Sequence, residues 1–286
     1  MATDTLDFET LTPRAWTLPS GVQLHTVREG QGRPVIFIHG AMGDWRSWAP
    51  QWPAFSAQFD CISYSRRYSH PNRNAMPSPD HSALHEAQDL LALMDAMGLP
   101  QAVLVGSSYG GFTALALAVQ APERVAAVVA VEPPMMKYAA RSASGQAAAA
   151  DFRARVIEPA NAAFRRGEDA LAAQIMTGGI NGARDAVNQG AAMARRLQNL
   201  QAMKMLALSS DEFPWLAPEA LAALPMPVLL LAGQHTQPVH RAIFENVCAA
   251  MPQAQQHWIE DAGHGVTREQ PERFNALVLS FLAALR

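Results

Sequence analysis

The sequence predicts an α/β fold: a mainly parallel sheet with helices on both faces, into which a helical segment is inserted before the last strands. Three observations carry this. Strand-like and helix-like stretches alternate along most of the 286 residues, the pattern of successive βαβ units. Val35-Ile36-Phe37-Ile38 is a continuous apolar run ahead of His39-Gly40, as expected of a strand buried on both faces. Between Met135 and Pro225 the β-branched runs vanish and alanine-, arginine- and methionine-rich helical patterns replace them, until strands resume at Val228. The chain therefore divides into a core of residues 1–134 and 226–286 and a helical cap of residues 135–225, with helix breaks expected at Gly178-Gly179 and Gly182.

In chain order, Trp16–Leu18 and Val22–Val27, separated by Pro19-Ser20-Gly21, read as an opening hairpin, and Cys61–Tyr64 as a short strand. From Ser82 to Met97 the apolar residues Leu84, Ala87, Leu90, Leu91, Met94 and Met97 recur at helical spacing, and Gly98 closes the helix. Further strands are expected at Val103–Val105, Val125–Val131, Val228–Leu231 and His257–Ile259, with helices at Phe112–Gln120, Val239–Ala250 and Pro271–Leu285. Trp48 and Trp52 lie one helical turn apart, with Trp45 close by, and read as a core or lid-facing stripe. Ala147–Ala150 is either a helix start or a loose linker.

Composition narrows the function classes. A hydrophobic content of 49% supports a large core. The net charge of −3, with no block of like charges, gives no electrostatic footprint for nucleic acid or an anionic membrane. Met1–Asp7 lacks the basic and apolar regions of a signal peptide, and no apolar run approaches the length of a membrane span. Cys61 and Cys248 stand alone and fit reduced core residues. The expectation is a cytoplasmic protein acting on a small molecule, with no cofactor and no metal; the oligomeric state is not legible.

Chemistry enters at Gly106-Ser107-Ser108-Tyr109-Gly110-Gly111, which follows a β-branched run and opens a helix pattern. A serine on a tight strand-to-helix turn needs glycines two before and two after it, so that strand and helix backbones can approach closely. Ser108 fits that slot and Ser107 does not.

The elbow, His39-Gly40 after the third strand, the insertion after the sixth strand and Gly263-His264 after the eighth together resemble the α/β-hydrolase family over nearly the whole chain. The resemblance implies that Ser108 is the nucleophile and that His264 is the base required to activate it. His39 is then a loop-shaping residue, and the backbone N–H groups of Ala41 and Tyr109 are the oxyanion donors. Met42 and Met135 are candidate substrate contacts. His25, His70, His81, His85, His240 and His257 have no motif around them and read as surface or structural residues.

The third triad member departs from the commoner family pattern. The loop after the seventh strand, Ala232-Gly233-Gln234-His235-Thr236-Gln237-Pro238, contains no carboxylate. Some members of the resembled family, certain haloalkane dehalogenases and lactone hydrolases among them, place this acid after the sixth strand, and Glu132 in Val131-Glu132-Pro133-Pro134 matches that position. Pro133 is expected to hold Glu132 extended at the carboxyl edge of the sheet. Asp211 and Glu212 in the cap are weaker rivals, and Asp261 is expected to shape the histidine loop.

Arg66 and Arg67 lie where relatives carry an arginine and glycines; the segment reads as a salt-bridged surface loop, with a contribution to the site as the alternative. Whether Arg66, Arg67 or His235 touches substrate is open. Met135, Met136, Met176, Met193, Met203 and Met205 either roof an apolar pocket or belong to the cap's core. A serine nucleophile excludes the haloalkane dehalogenase and epoxide hydrolase chemistries of this fold, which use aspartate. What remains is hydrolysis of a carboxylic ester or lactone of a small, largely apolar substrate. Carbon–carbon bond hydrolysis or acyl transfer with the same triad is the alternative, and a non-catalytic ligand-binding protein the alternative from another class.

Overall fold

A computed structural model describes residues 8–76, 78, 80–182 and 190–285. Met1–Asp7, the stretch read for a signal peptide, lies outside them. The strands are β1 (Arg14–Thr17), β2 (Gln23–Glu29), β3 (Pro34–Ile38), β4 (Asp60–Tyr64), β5 (Ala102–Ser107), β6 (Val125–Val131), β7 (Val228–Gly233) and β8 (Gln255–Ile259). The helices are α1 (Trp52–Ser56), α2 (Ala83–Ala96), α3 (Tyr109–Gln120), α4 (Ala143–Phe152), α5 (Glu158–Arg165), α6 (Asp169–Asn181), α7 (Gly190–Gln198), α8 (Leu200–Leu208), α9 (Pro218–Ala222), α10 (Pro238–Ala250), α11 (Val266–Glu269) and α12 (Pro271–Ala283).

One eight-stranded sheet runs in the order β1-β2-β4-β3-β5-β6-β7-β8. The opening hairpin pairs antiparallel and β2 joins β4 antiparallel; every later pairing is parallel. Period-two alternation divides the apolar strand residues between two layers. Ile36, Ile38, Leu104, Val128 and Leu230 face the layer built on α2, α3 and α10. Val35, Phe37, Val103, Val129 and Leu229 face the layer that holds Trp45, Trp48, Trp52 and the α12 residues Phe274 and Val278. The tryptophans are thus core residues; Phe37 packs on Trp48 with ring centroids 5.0 Å apart. Cys61 and Cys248 are free and buried.

Between β6 and β7 the described residues form helices and turns without a strand. Ala147–Ala150 lies within α4. The expected break at Gly178-Gly179 is absent: α6 continues through both residues and ends at Gly182, where φ is 82°. Gly179 has a packing reason instead. A Cβ there would lie 2.3 Å from Cγ2 of Val156, so the glycine lets α6 press against the turn of π-helix at Arg153–Ile157. No helix among the described residues is long and apolar enough to cross a membrane.

Candidate active site

The chain runs from β3 outward to β4 and then returns to β5 on the other side of β3. Such a reversal opens a crevice at the carboxyl ends of the strands, where open α/β sheets bind ligands. His39-Gly40-Ala41 leaves β3 at this point and Ser108 leaves β5.

Ser108 sits at φ 52° between β5 and α3, an uncommon conformation for a residue with a side chain. The flanking glycines make the turn possible. A Cβ on Gly106 would lie 2.2 Å from the carbonyl oxygen of Gly110, and one on Gly110 would lie 2.0 Å from that of Ile38. Gly40 is less constrained: its added Cβ would meet Ser107 O at 3.4 Å and Ser108 Cβ at 3.5 Å. Gly110→Ala is therefore expected to destabilise the fold by about 3 kcal/mol or more, a fall in Tm of about 10 °C, and Gly40→Ala by much less. Thermal melts of the two variants check this, and equal Tm values contradict it.

His264 follows β8 in the loop ahead of α11 and is buried. Its Nε2 lies 3.0 Å from Ser108 Oγ and its Nδ1 lies 2.6 Å from Glu132 Oε2. An ionised carboxylate only accepts, so Nδ1 carries the proton and Nε2 is left to accept from the serine hydroxyl. Glu269 clamps the loop on both sides of the ring, accepting from the N–H of Gly263 at 2.7 Å and of Gly265 at 3.2 Å.

Glu132 is buried at the end of β6, but not in the extended conformation expected from Pro133: its φ is 41°. Longer-range hydrogen bonds override the local preference. The Glu132 N–H donates to Leu231 O at 2.9 Å, its Oε1 accepts from Gly233 N–H at 2.8 Å, and its Oε2 accepts from Thr236 Oγ1 at 2.6 Å. A strained backbone of this kind costs about 1–3 kcal/mol and persists because three partners fix it. The loop after β7, which contains no acid, thus supplies the donors that hold one. Among the rivals, Asp211 pairs with Lys137 at 2.8 Å, Glu212 accepts from the Tyr109 hydroxyl, and Asp261 lies 3.8 Å from Arg273.

His240 was not signalled by the sequence. It projects from α10 and its ring stacks on His264, with centroids 4.3 Å apart and planes 28° apart. Its Nε2 is buried without a hydrogen-bond partner, and burial together with the neighbouring His264 holds its pKa well below the usual imidazole range. Glu132, His240 and His264 bring ligand atoms within 4.8 Å of one another. That cluster is poorly suited to a metal, because near-parallel stacked rings direct their in-plane lone pairs along parallel planes rather than at one point, and Glu132 is already bonded to His264.

The loop after β4 is not the surface loop expected. Arg66 is buried, pairs with Glu86 at 3.2 Å and lies over the Tyr109 ring at 3.6 Å. The buried Arg66–Glu86 pair thus packs against Tyr109, the residue that follows Ser108. Arg67 is half-buried and forks onto Asp89, and His235 is exposed. His39 is a loop-shaping residue: its Nε2 accepts from Arg66 N–H at 3.0 Å, its Nδ1 lies 2.7 Å from Gly40 O, and burial lowers its pKa to about 3, so the ring is neutral. Tyr109 opens α3, so its N–H has no acceptor in its own helix; Ala41 forms part of the cavity wall beside Ser108.

Glu212, in the helical segment, carries a carboxyl whose pKa is pushed up to about 7, first by burial. An unfolded glutamate releases its proton near 4.5. Between those values the folded state binds more protons than the unfolded one, so this group lowers stability as pH rises from 4.5 to 7. Glu212→Gln removes the dependence and still accepts from Tyr109. It is expected to be more stable than the parent by roughly 2 kcal/mol at pH 8 and little different at pH 5, as read by urea unfolding at both; a parent equally stable relative to the variant at the two pH values contradicts this.

A cavity of about 550 Å³ opens beside Ser108 and His264. From the core it is lined by residues 39–44 and 46–50, Gly265, Thr267 and Arg268, and from the helical segment by Ile180, Asn181, Ala191, Ala192, Arg195, Arg196 and Asn199. Met42 lines it. Met135 does not; it is buried in the core layer on the α3 side of the sheet. Nor do the other methionines read as a roof: Met176, Met193 and Met203 pack among the insertion's own helices, and Met205 packs against Tyr68. A larger, more open hollow of about 770 Å³ lies at the amino ends of the strands around Pro34, Val125 and Pro227, away from Ser108 and His264.

The α/β-hydrolase fold family matches residues 33–269. RutD of Caulobacter segnis, provisionally named a carbamate hydrolase, is 26% identical over 263 residues, covering 88% of this chain and 92% of RutD. Carboxylesterase YbfK of Bacillus subtilis is 28% identical over 263 residues, 87% of this chain and 79% of its own. The crystal structure of YbfK superposes with a TM-score of 0.71 at 23% identity, over 96% of this chain and 93% of that one. Est816, described as an N-acyl homoserine lactone degrading enzyme, gives a TM-score of 0.74 at 21% identity, over 94% of this chain and all of its own. At these identities the two structures show a shared fold.

Proposed function

The chain belongs to the α/β-hydrolase family, and from that premise we propose that it is a serine hydrolase cleaving a carboxylic ester or lactone through an acyl-enzyme on Ser108. The observation that carries the reading is the relay from Ser108 Oγ through His264 to Glu132, at 3.0 and 2.6 Å. Ser108 Oγ bonds to the substrate carbonyl carbon as its proton passes to His264 Nε2. Glu132 stabilises the imidazolium, and the N–H groups of Ala41 and Tyr109 stabilise the oxyanion. Collapse breaks the bond to the leaving alkoxide, which takes the proton from His264. Water then attacks the acyl carbon with His264 as base, releasing the acid and restoring the serine.

The names of RutD and YbfK, hydrolases of a carbamate and of a carboxylic ester, both describe attack at an acyl carbon and support this chemistry at the level of reaction type. Residues 135–225 act as a cap over the site, in keeping with the lining residues they contribute to the cavity. A fluorophosphonate probe is expected to label Ser108 alone, found by peptide mass, and to label a His264→Ala variant far more slowly. Labelling at another residue, or none in protein that hydrolyses esters, overturns the reading.

A further inference from the structure

The cavity beside Ser108 carries four arginines, Arg46, Arg195, Arg196 and Arg268, against one carboxylate, Asp44, among its described lining residues. The chain as a whole has a net charge of −3, so this positive lining is local. We propose that the substrate carries a carboxylate of its own, remote from the carbonyl that Ser108 attacks, and that this arginine-walled cavity binds it. The proposal rests on the reading of Ser108 as nucleophile and replaces the largely apolar substrate expected from the methionine content.

Three features point to a carboxylate. First, the charges come from both sides of the cavity: Arg195 and Arg196 on α7, Arg46 in the turn after β3, and Arg268 in α11, four residues beyond His264. A bound anion would therefore touch the core and the helical segment together. Second, the arginines are already held by the protein, so the proposal needs none of them to be free. Arg46 forks onto Asp44 at 2.9 and 2.7 Å and reaches Gln198 at 2.6 Å, and Arg268 lies 3.5 Å from Glu269. A positioned guanidinium loses less side-chain freedom when a ligand arrives.

Third, Arg196 is buried, only 8% exposed, and one of its contacts is weak: Nη1 points at the thioether sulfur of Met42 at 3.6 Å. Sulfur is a poor acceptor, whereas a carboxylate accepts two parallel N–H groups from the planar fork. Met42 and Arg196 line the same cavity as Ser108, so an anion that replaced the sulfur would occupy the cavity that also holds the reacting ester. Lysine is absent from the described lining, which favours planar, bidentate recognition over a point charge. The volume of about 550 Å³ suits a small molecule. A purely structural role, pinning the helical segment to the core, would give no preference between anionic and neutral substrates.

Monoethyl adipate and ethyl hexanoate test this directly, because they share the ethyl ester and the chain length and differ in a terminal carboxylate against a methyl group. With the full chain at low ionic strength, kcat/KM is expected to be at least about tenfold higher for monoethyl adipate, mainly through KM. Added salt should shrink the ratio. Arg196→Met and Arg195→Gln are expected to bring the ratio toward one, while Arg195→Lys keeps part of it; a merely structural role would alter both esters together. Fluorophosphonate capture of Ser108 separates the two possible failures. Capture with equal treatment of the two esters, including turnover of neither, overturns this inference alone, and so does a ratio that the arginine variants leave intact. Absence of capture overturns the reading on which it rests.

Discussion

Ser108→Ala is expected to lower ester hydrolysis by about 10⁴–10⁶-fold while leaving the melting temperature near that of the parent. The hydroxyl is what His264 Nε2 faces at 3.0 Å, and deleting it removes the only atom proposed to form the covalent bond. The fold should not notice. The turn depends on Gly106 and Gly110, and the Ser108 N–H still donates to Val131 O at 2.7 Å in the variant. The decisive measurement is kcat/KM for an activated ester alongside a thermal melt. Retention of more than about one per cent of the parent rate would place the nucleophile elsewhere, because a site without its nucleophile keeps only the small residual catalysis that binding and oxyanion donors provide.

The second large effect is expected at Glu132. Glu132→Gln should cut the rate by about 10²–10⁴-fold, in line with triad acids in other serine hydrolases. The Glu132 carboxylate meets donors on every side: His264 Nδ1, Thr236 Oγ1 and the Gly233 N–H. An amide has one accepting oxygen and one NH₂, so at least one of these donors must face another donor. If the NH₂ turns to His264, the favoured tautomer moves the ring proton to Nε2, where it blocks acceptance from Ser108. If it turns to Gly233, a buried N–H loses its acceptor at about 1–3 kcal/mol. Rate and Tm measured together separate these: a rate loss with little change in Tm marks the first, and a Tm loss the second. Near-normal turnover would reassign the acid.

Ser108 and His264 were legible because each sits in a short local pattern, a serine between spaced glycines and a histidine between small residues after the last strand. The positions of the strands along the chain also followed from local apolar runs and alternation. Glu132 was reached because the loop after β7 lacks an acid, yet its backbone was misjudged. Pro133 acts on its immediate neighbour, whereas Gly233 and Thr236, which hold Glu132 at φ 41°, lie about a hundred residues away. His240 and Glu269 gave no signal, since ring stacking and loop clamping exist only once β7, α10 and α11 have converged. The methionines misled for a related reason. Helical spacing says that a residue faces something, and here Met176, Met193 and Met203 face other helices of the insertion while arginines of α7 face the cavity. At Gly178-Gly179 the local rule for helix breaking yielded to close packing against Val156.

Tyr109 joins two requirements that could otherwise diverge. Its main chain directly follows Ser108, its ring lies under Arg66, and its hydroxyl donates to Glu212 of the helical segment. The segment can drift in sequence wherever it only lines the cavity, and its arginines could be exchanged to suit another ligand. Position 212 does not share that freedom, because losing the acceptor strands a buried phenol one residue from Ser108. Selection for a new substrate can therefore rewrite the walls around Ser108 while an acceptor at position 212, one of the contacts that moor the segment to the core, is retained.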